Sequence, residues 1–175
     1  VVSVYFNGMQ VFTFGDADAR NTILYIHGGA YINEINYQHL IYCSLLSRKL
    51  NARVLAPVYP LAPKYDAQKS IDMITELYGK LILKDNLILM GDSAGGGLSL
   101  AMTELCGKEG IRQPDELVLI SPWVDAVMDN EEIRKYENVD PSLSVEDLSV
   151  CATSWSAGLD LHDWRISAIY GDLND

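Results

Sequence analysis

Short apolar runs alternate with amphipathic stretches along this chain, and that order predicts a mostly parallel sheet with helices on both faces. Thr22 to Ile26, Arg53 to Val58, Asn86 to Met90 and Glu116 to Ile120 are the compact apolar runs expected of strands buried on both sides. Val2 to Phe6 and Gln10 to Phe14 read as two more strands, joined at Asn7-Gly8 in an N-terminal antiparallel hairpin. Helices are predicted over Tyr37 to Leu50, over a stretch capped by Asp66, and from the turn after Met90 to about Lys108. In the first, Leu40, Ile41, Ser44, Leu45 and Leu46 make a plausible inner face. In the second, Ile71, Ile74, Leu77, Tyr78, Leu81 and Ile82 do. Pro60 and Pro63 cannot continue a central ladder, so the strand before them stops there.

From Val124 to Arg165 the pattern loosens. Aromatic, acidic and small residues mix, with one or two helices. One spans about Ser144 to Ser156, where Ser144 with Asp147 resembles a capping box. This stretch reads as a small helical, cap-like insertion, about residues 124–165, lying over the C-terminal edge of the sheet. It belongs to a single domain covering 1–175. The sequence shows no internal repeat and no low-complexity segment.

A length of 175 residues suits one domain with a sizeable core. With 49% hydrophobic and 21% charged residues, the chain has a globular composition. Its net charge of −11 argues against nucleic acid and anionic membrane surfaces as partners. No apolar run approaches the roughly 20 residues of a membrane span. Cys43, Cys106 and Cys151 show no CxxC spacing and read as buried thiols in a reducing compartment, so a cytoplasmic location is expected. The cysteines and three histidines show no metal-ligand spacing, and neither metal nor cofactor is expected.

The chemistry is concentrated in Met90-Gly91-Asp92-Ser93-Ala94-Gly95-Gly96-Gly97. A strand runs into it and a helix leaves it. Gly91-x-Ser93-x-Gly95 in that context is the nucleophile-elbow pattern. Small residues two positions either side let the chain bend sharply, and the bend holds Ser93 out at a helix N-terminus, where developing negative charge is favoured. A serine that attacks an acyl carbon needs donors aimed at the oxyanion. His27-Gly28-Gly29-Ala30, also after a buried strand, can supply them. The expected hole comprises the Gly29 and Ala30 N–H groups, with Gly28 close by, and the Ala94 N–H. Tyr31, beside that loop, is expected to line the substrate pocket.

Taken together, His27-Gly28-Gly29-Ala30-Tyr31, Tyr59-Pro60-Leu61-Ala62-Pro63, Gly91-Asp92-Ser93-Ala94-Gly95-Gly96, Ser121-Pro122-Trp123-Val124-Asp125 and Ser167 to Leu173 resemble the hormone-sensitive-lipase-like family of α/β-hydrolases. The resemblance implies a serine carboxylesterase acting on short- to medium-chain acyl esters of small molecules. It makes His27 a loop-organising residue, not the base, and Asp125 structural or pocket-lining. Many members carry glycine where this chain has Ala30.

Relatives place the catalytic acid and histidine after the Tyr-Gly-Asp-Leu segment, each behind a further strand, whereas this sequence stops at Asp175. His162, the one histidine after Ser93, sits in the insertion and reads as a surface or loop residue. His39 reads as solvated, and Asp92 as a carboxylate that braces its loop. The last strands of the fold are therefore expected to be missing, leaving Leu117 to Ile120 as an unpaired apolar edge. The chain reads as a fragment of a longer hydrolase and alone is expected to be inactive. Two other readings stay open: a non-catalytic ligand-binding relative and a serine peptidase. A homo-oligomer is compatible with all three.

Overall fold

The computed structural model describes residues 1–83, 86–137 and 139–173. The expected strands are β1 (Val2–Phe6), β2 (Met9–Phe14), β3 (Asn21–Ile26), β4 (Ala52–Pro57), β5 (Leu87–Asp92) and β6 (Glu116–Ile120). They form one sheet in the order β1-β2-β4-β3-β5-β6. β1 and β2 pair antiparallel, as do β2 and β4, while β3, β4, β5 and β6 run parallel. Asn7 and Gly8 both take positive φ, as the tight turn between β1 and β2 requires.

Helices α1 (Tyr37–Leu50), α2 (Ala67–Leu81) and α3 (Ser93–Glu109) make the crossovers. The strands pleat between two apolar clusters. Ile23, Tyr25, Val54, Ala56 and Met90 pack with Cys43 of α1 on one face. Leu24, Ile26, Leu55, Leu87 and Leu89 pack with Ile71, Ile74 and Tyr78 of α2 and Leu98 and Met102 of α3 on the other. This alternation follows from the two-residue period of a strand. Asp66 caps α2 through the Lys69 N–H, as its position suggests.

The inner face of α1 differs from the expected one. Cys43 and Ser47 are its buried residues, with Leu40 and Leu46 packed alongside, while Ile41 and Leu45 are exposed. Ser47 can be buried because its hydroxyl donates to the Ala52 carbonyl at 2.9 Å. With this face packed on the sheet, the Ile41/Leu45 stripe points outward.

The 124–165 stretch contains a short 3-10 turn (Glu131–Lys135) and α4 (Val145–Ser156). Ser144 caps α4 by accepting from the Asp147 N–H. Its hydroxyl also donates to the Asp147 carboxylate. Trp155 is fully buried and ties α4 to the core. At the far edge, β6 pairs with β5 alone among the described residues, and Leu117, Val118 and Leu119 are half-buried.

Candidate active site

β5 runs directly into α3, and Ser93 sits on the bend with φ 49°. That left-handed conformation is unfavourable for a residue with a side chain. The glycines around it are required by close contact. A methyl group on Gly91 would lie 2.4 Å from the Gly95 carbonyl oxygen. One on Gly95 would lie 2.1 Å from the Ile26 carbonyl oxygen. The Ser93 carbonyl accepts from the Trp123 N–H at 2.8 Å, which draws the loop after β6 over the bend.

The loop after β3 reaches the same place. A Cβ built on Gly28 would stand 3.1 Å from the Ser93 Cβ. Gly29 (φ 123°), Ala30 (φ 52°) and Tyr31 (φ 63°) follow in a turn, closed by Ile32 and Asn33 N–H groups donating to the Gly29 carbonyl. Gly29, Ala30 and Ser93 line one cleft of about 690 Å³. Ala94 is buried and does not line it, but its N–H belongs to the first turn of α3, where no carbonyl four residues back accepts it.

Gly28 departs from its expected role. Its N–H donates to Asp92 Oδ1 at 2.9 Å and is not available to an oxyanion. Asp92 is the bracing carboxylate that the sequence suggests. Oδ1 also accepts from the Tyr25 hydroxyl at 2.5 Å, and Oδ2 lies 3.5 Å from His39 Nε2. Burial pushes the Asp92 carboxyl up, but hydrogen bonds from His39, Tyr25 and Gly28 outweigh it and leave its pKa below the ordinary value.

His39 is not the solvated residue expected from its helix position, since only 16% of its side chain is exposed. Its Nδ1 accepts from the Asn36 N–H, closing a capping box at the start of α1 that turns the ring inward. His27 is fully buried and stacked on Tyr59 at 4.5 Å. Its Nδ1–H donates to the Gly28 carbonyl, and its own carbonyl accepts from the Tyr59 hydroxyl. Desolvation lowers its pKa to about 4, so the ring is neutral near pH 7. His162 is exposed and bonded to Asp160 in a local turn. Among the described residues, no histidine is hydrogen-bonded to Ser93.

Tyr31 does not line the pocket as expected. It is 2% exposed and is not part of the cleft wall. Its positive φ turns the ring into the core, stacked on Trp155 at 4.2 Å and on Trp123 at 5.5 Å. Asp125 does line the cleft, and its Oδ1 accepts from the Val127 and Met128 N–H groups. Residues of the insertion, among them Met128, Ile133, Tyr136, Leu143 and Leu148, complete the wall. Sequence reasoning did not single them out, because the loose apolar pattern there gives no face. The signal was their concentration after Ser121-Pro122-Trp123, which follows the strand next to the elbow.

A parallel sheet in this order, with a serine on a cramped strand-to-helix bend facing a glycine loop from the neighbouring strand, defines an α/β-hydrolase architecture. The alpha/beta hydrolase fold family matches residues 23–175, and the chain belongs to that family. It is 30% identical to an esterase of Acinetobacter venetianus over 90% of this chain and 54% of that protein. It is also 30% identical to an acetyl-hydrolase of Streptomyces hygroscopicus over 87% of this chain and 52% of that one. A solved esterase from the bacterial hormone-sensitive lipase family superposes with a TM-score of 0.89 at 28% identity, over 97% of this chain and 59% of that chain. The resemblance to hormone-sensitive-lipase-like hydrolases is thus borne out. The chain spans about half the length of these two protein relatives.

Proposed function

We propose that the protein is a serine carboxylesterase of small-molecule esters with short- to medium-chain acyl groups. The observation that carries this reading is the shared cleft: Ser93, at φ 49°, with Gly29 and Ala30 on the same wall. Ser93 Oγ attacks the ester carbon and gives up its proton to a base. The Gly29, Ala30 and Ala94 N–H groups hold the oxygen that becomes negative, helped by the N-terminus of α3. Collapse of the tetrahedral intermediate expels the alcohol, which takes that proton, and water then releases the acyl group from Ser93.

The base and the carboxylate that orients it come from a part of the full-length protein outside the described residues. What supports this reading is that His27, His39 and His162 are engaged with the Gly28 carbonyl, the Asn36 N–H and Asp160. By the same reading, the 175 residues alone turn over esters poorly. The cleft is walled mainly by apolar side chains, among them Trp123, Val124, Met128 and Leu148, which suits an acyl chain. The three free, buried thiols support a cytoplasmic location.

The test is hydrolysis of a p-nitrophenyl ester series, from acetate to laurate, by the full-length protein. Activity is expected to peak at short or medium chains and to fall at least about 10³-fold in Ser93→Ala. Undiminished turnover in Ser93→Ala would remove the serine mechanism. Binding of esters without turnover by the full-length wild type would favour a ligand-binding protein.

A further inference from the structure

We propose that His39 is a positioning residue for the reaction. From the first turn of α1 it holds the Asp92 carboxylate so that the other oxygen pins Gly28, and with it the oxyanion loop, beside Ser93. The inference rests on the esterase reading above.

The two nitrogens of His39 have distinct duties. The Asn36 backbone N–H, which can only donate, lies 3.1 Å from Nδ1, so Nδ1 carries no proton. The ring's N–H is then Nε2, which faces Asp92 Oδ2 at 3.5 Å. Asp92 Oδ1 is left to take the Tyr25 hydroxyl and the Gly28 N–H. One carboxylate therefore joins three elements: the end of β3, the start of α1 and the bend that carries Ser93.

Gly28 is held at both of its polar groups, its N–H by Asp92 and its carbonyl by His27 Nδ1. Gly29 and Ala30 follow it with positive φ, so the plane of the Gly28 peptide sets where their N–H groups point. Oxyanion donors act through their aim, and a displacement of about 1 Å costs on the order of 10²-fold in rate. The side chains of His39 and Asp92 are 16% and 24% exposed, so their attraction is only partly screened by water. The rings of His27 and Tyr25 also lie against this ring, at 5.7 Å and 6.3 Å between centroids.

Two substitutions separate this role from helix capping. Gln at this position can accept from the Asn36 N–H and also donate to Asp92. Glu can accept from Asn36 equally well but offers Asp92 only a second negative charge. In the full-length protein, H39Q is expected to keep kcat within about 3-fold of wild type. H39E is expected to lose at least about 10-fold in kcat with little change in KM. The Gly28 amide of H39E should exchange with solvent at least about 10-fold faster by NMR, while amides of α1 exchange as in wild type.

Wild-type kcat and Gly28 exchange in H39E would overturn the proposal. So would equal losses of activity and Tm in both variants, which would mark a purely structural role. If the wild type hydrolyses no ester, the esterase reading falls, and Gly28 exchange still decides whether His39 positions the loop.

Discussion

Gly95 packs directly on the carbonyl of Ile26, and a methyl group there would stand 2.1 Å from that oxygen. This contact seats the first turn of α3 on the end of β3, so the bend and the glycine loop share one rigid base. Backbone cannot yield as a flexible side chain would. Gly95→Ala is expected to destabilise the protein by about 1–3 kcal/mol, or to prevent folding. Chemical denaturation checks this, and an unchanged midpoint would show that the two elements are not held this closely.

Ser93 adopts φ 49°, and a Cβ in that region is strained. Ser93→Gly removes the strain, whereas Ser93→Ala keeps it. The glycine variant should be more stable than the alanine variant by about 1 kcal/mol, roughly 2–4 °C in Tm. Both should lack esterase activity. Equal or reversed Tm values would mean that the bend stores no strain.

Much of this was readable in the sequence where the cause is local. The elbow follows from residue size at Gly91 and Gly95, the hairpin from Asn7-Gly8, and the start of α2 from Asp66. What was not readable depends on partners distant along the chain. His39 looks like a polar helix residue until Asp92 is placed against it. Gly28 looks like one more oxyanion donor until that same carboxylate takes its N–H. Helix α1 carries apolar residues on more than one face, and Ser47 can sit on the buried one only because the distant Ala52 carbonyl accepts its hydroxyl.

Tyr31 is buried between Trp123 and Trp155, whereas Tyr136, 65% exposed, stands on the cleft wall. Tyr31→Ala should cost about 3–5 kcal/mol in stability. Tyr136→Ala should leave Tm within about 2 °C, a change of well under 1 kcal/mol, and shift the preferred acyl length. Thermal melts with the ester series check both. A stable Tyr31→Ala with altered acyl preference would restore Tyr31 to the pocket.

Glu104 on α3 is buried, with Lys108 Nζ 3.7 Å away. Desolvation dominates over Lys108 and the Asp172 N–H, and raises the Glu104 pKa from 4.5 to about 7. The folded state then holds this proton more tightly than the unfolded chain. Its contribution to stability is full below about pH 4.5 and is lost as pH rises through about 7. Glu104→Gln should therefore stabilise the protein at pH 8 relative to wild type, by about 1 kcal/mol, with the gain vanishing at pH 4. A gain that grows as pH falls would contradict this assignment.

On the proposed reading, the Ser93 hydroxyl is an activated nucleophile facing oxyanion donors. The most direct test is intact-mass and peptide analysis of the full-length protein after treatment with diisopropyl fluorophosphate. The predicted result is one diisopropylphosphoryl group on the peptide containing Ser93, loss of esterase activity in step with labelling, and no adduct in Ser93→Ala. An esterase that resists labelling, or that is labelled on a different residue, would contradict the account.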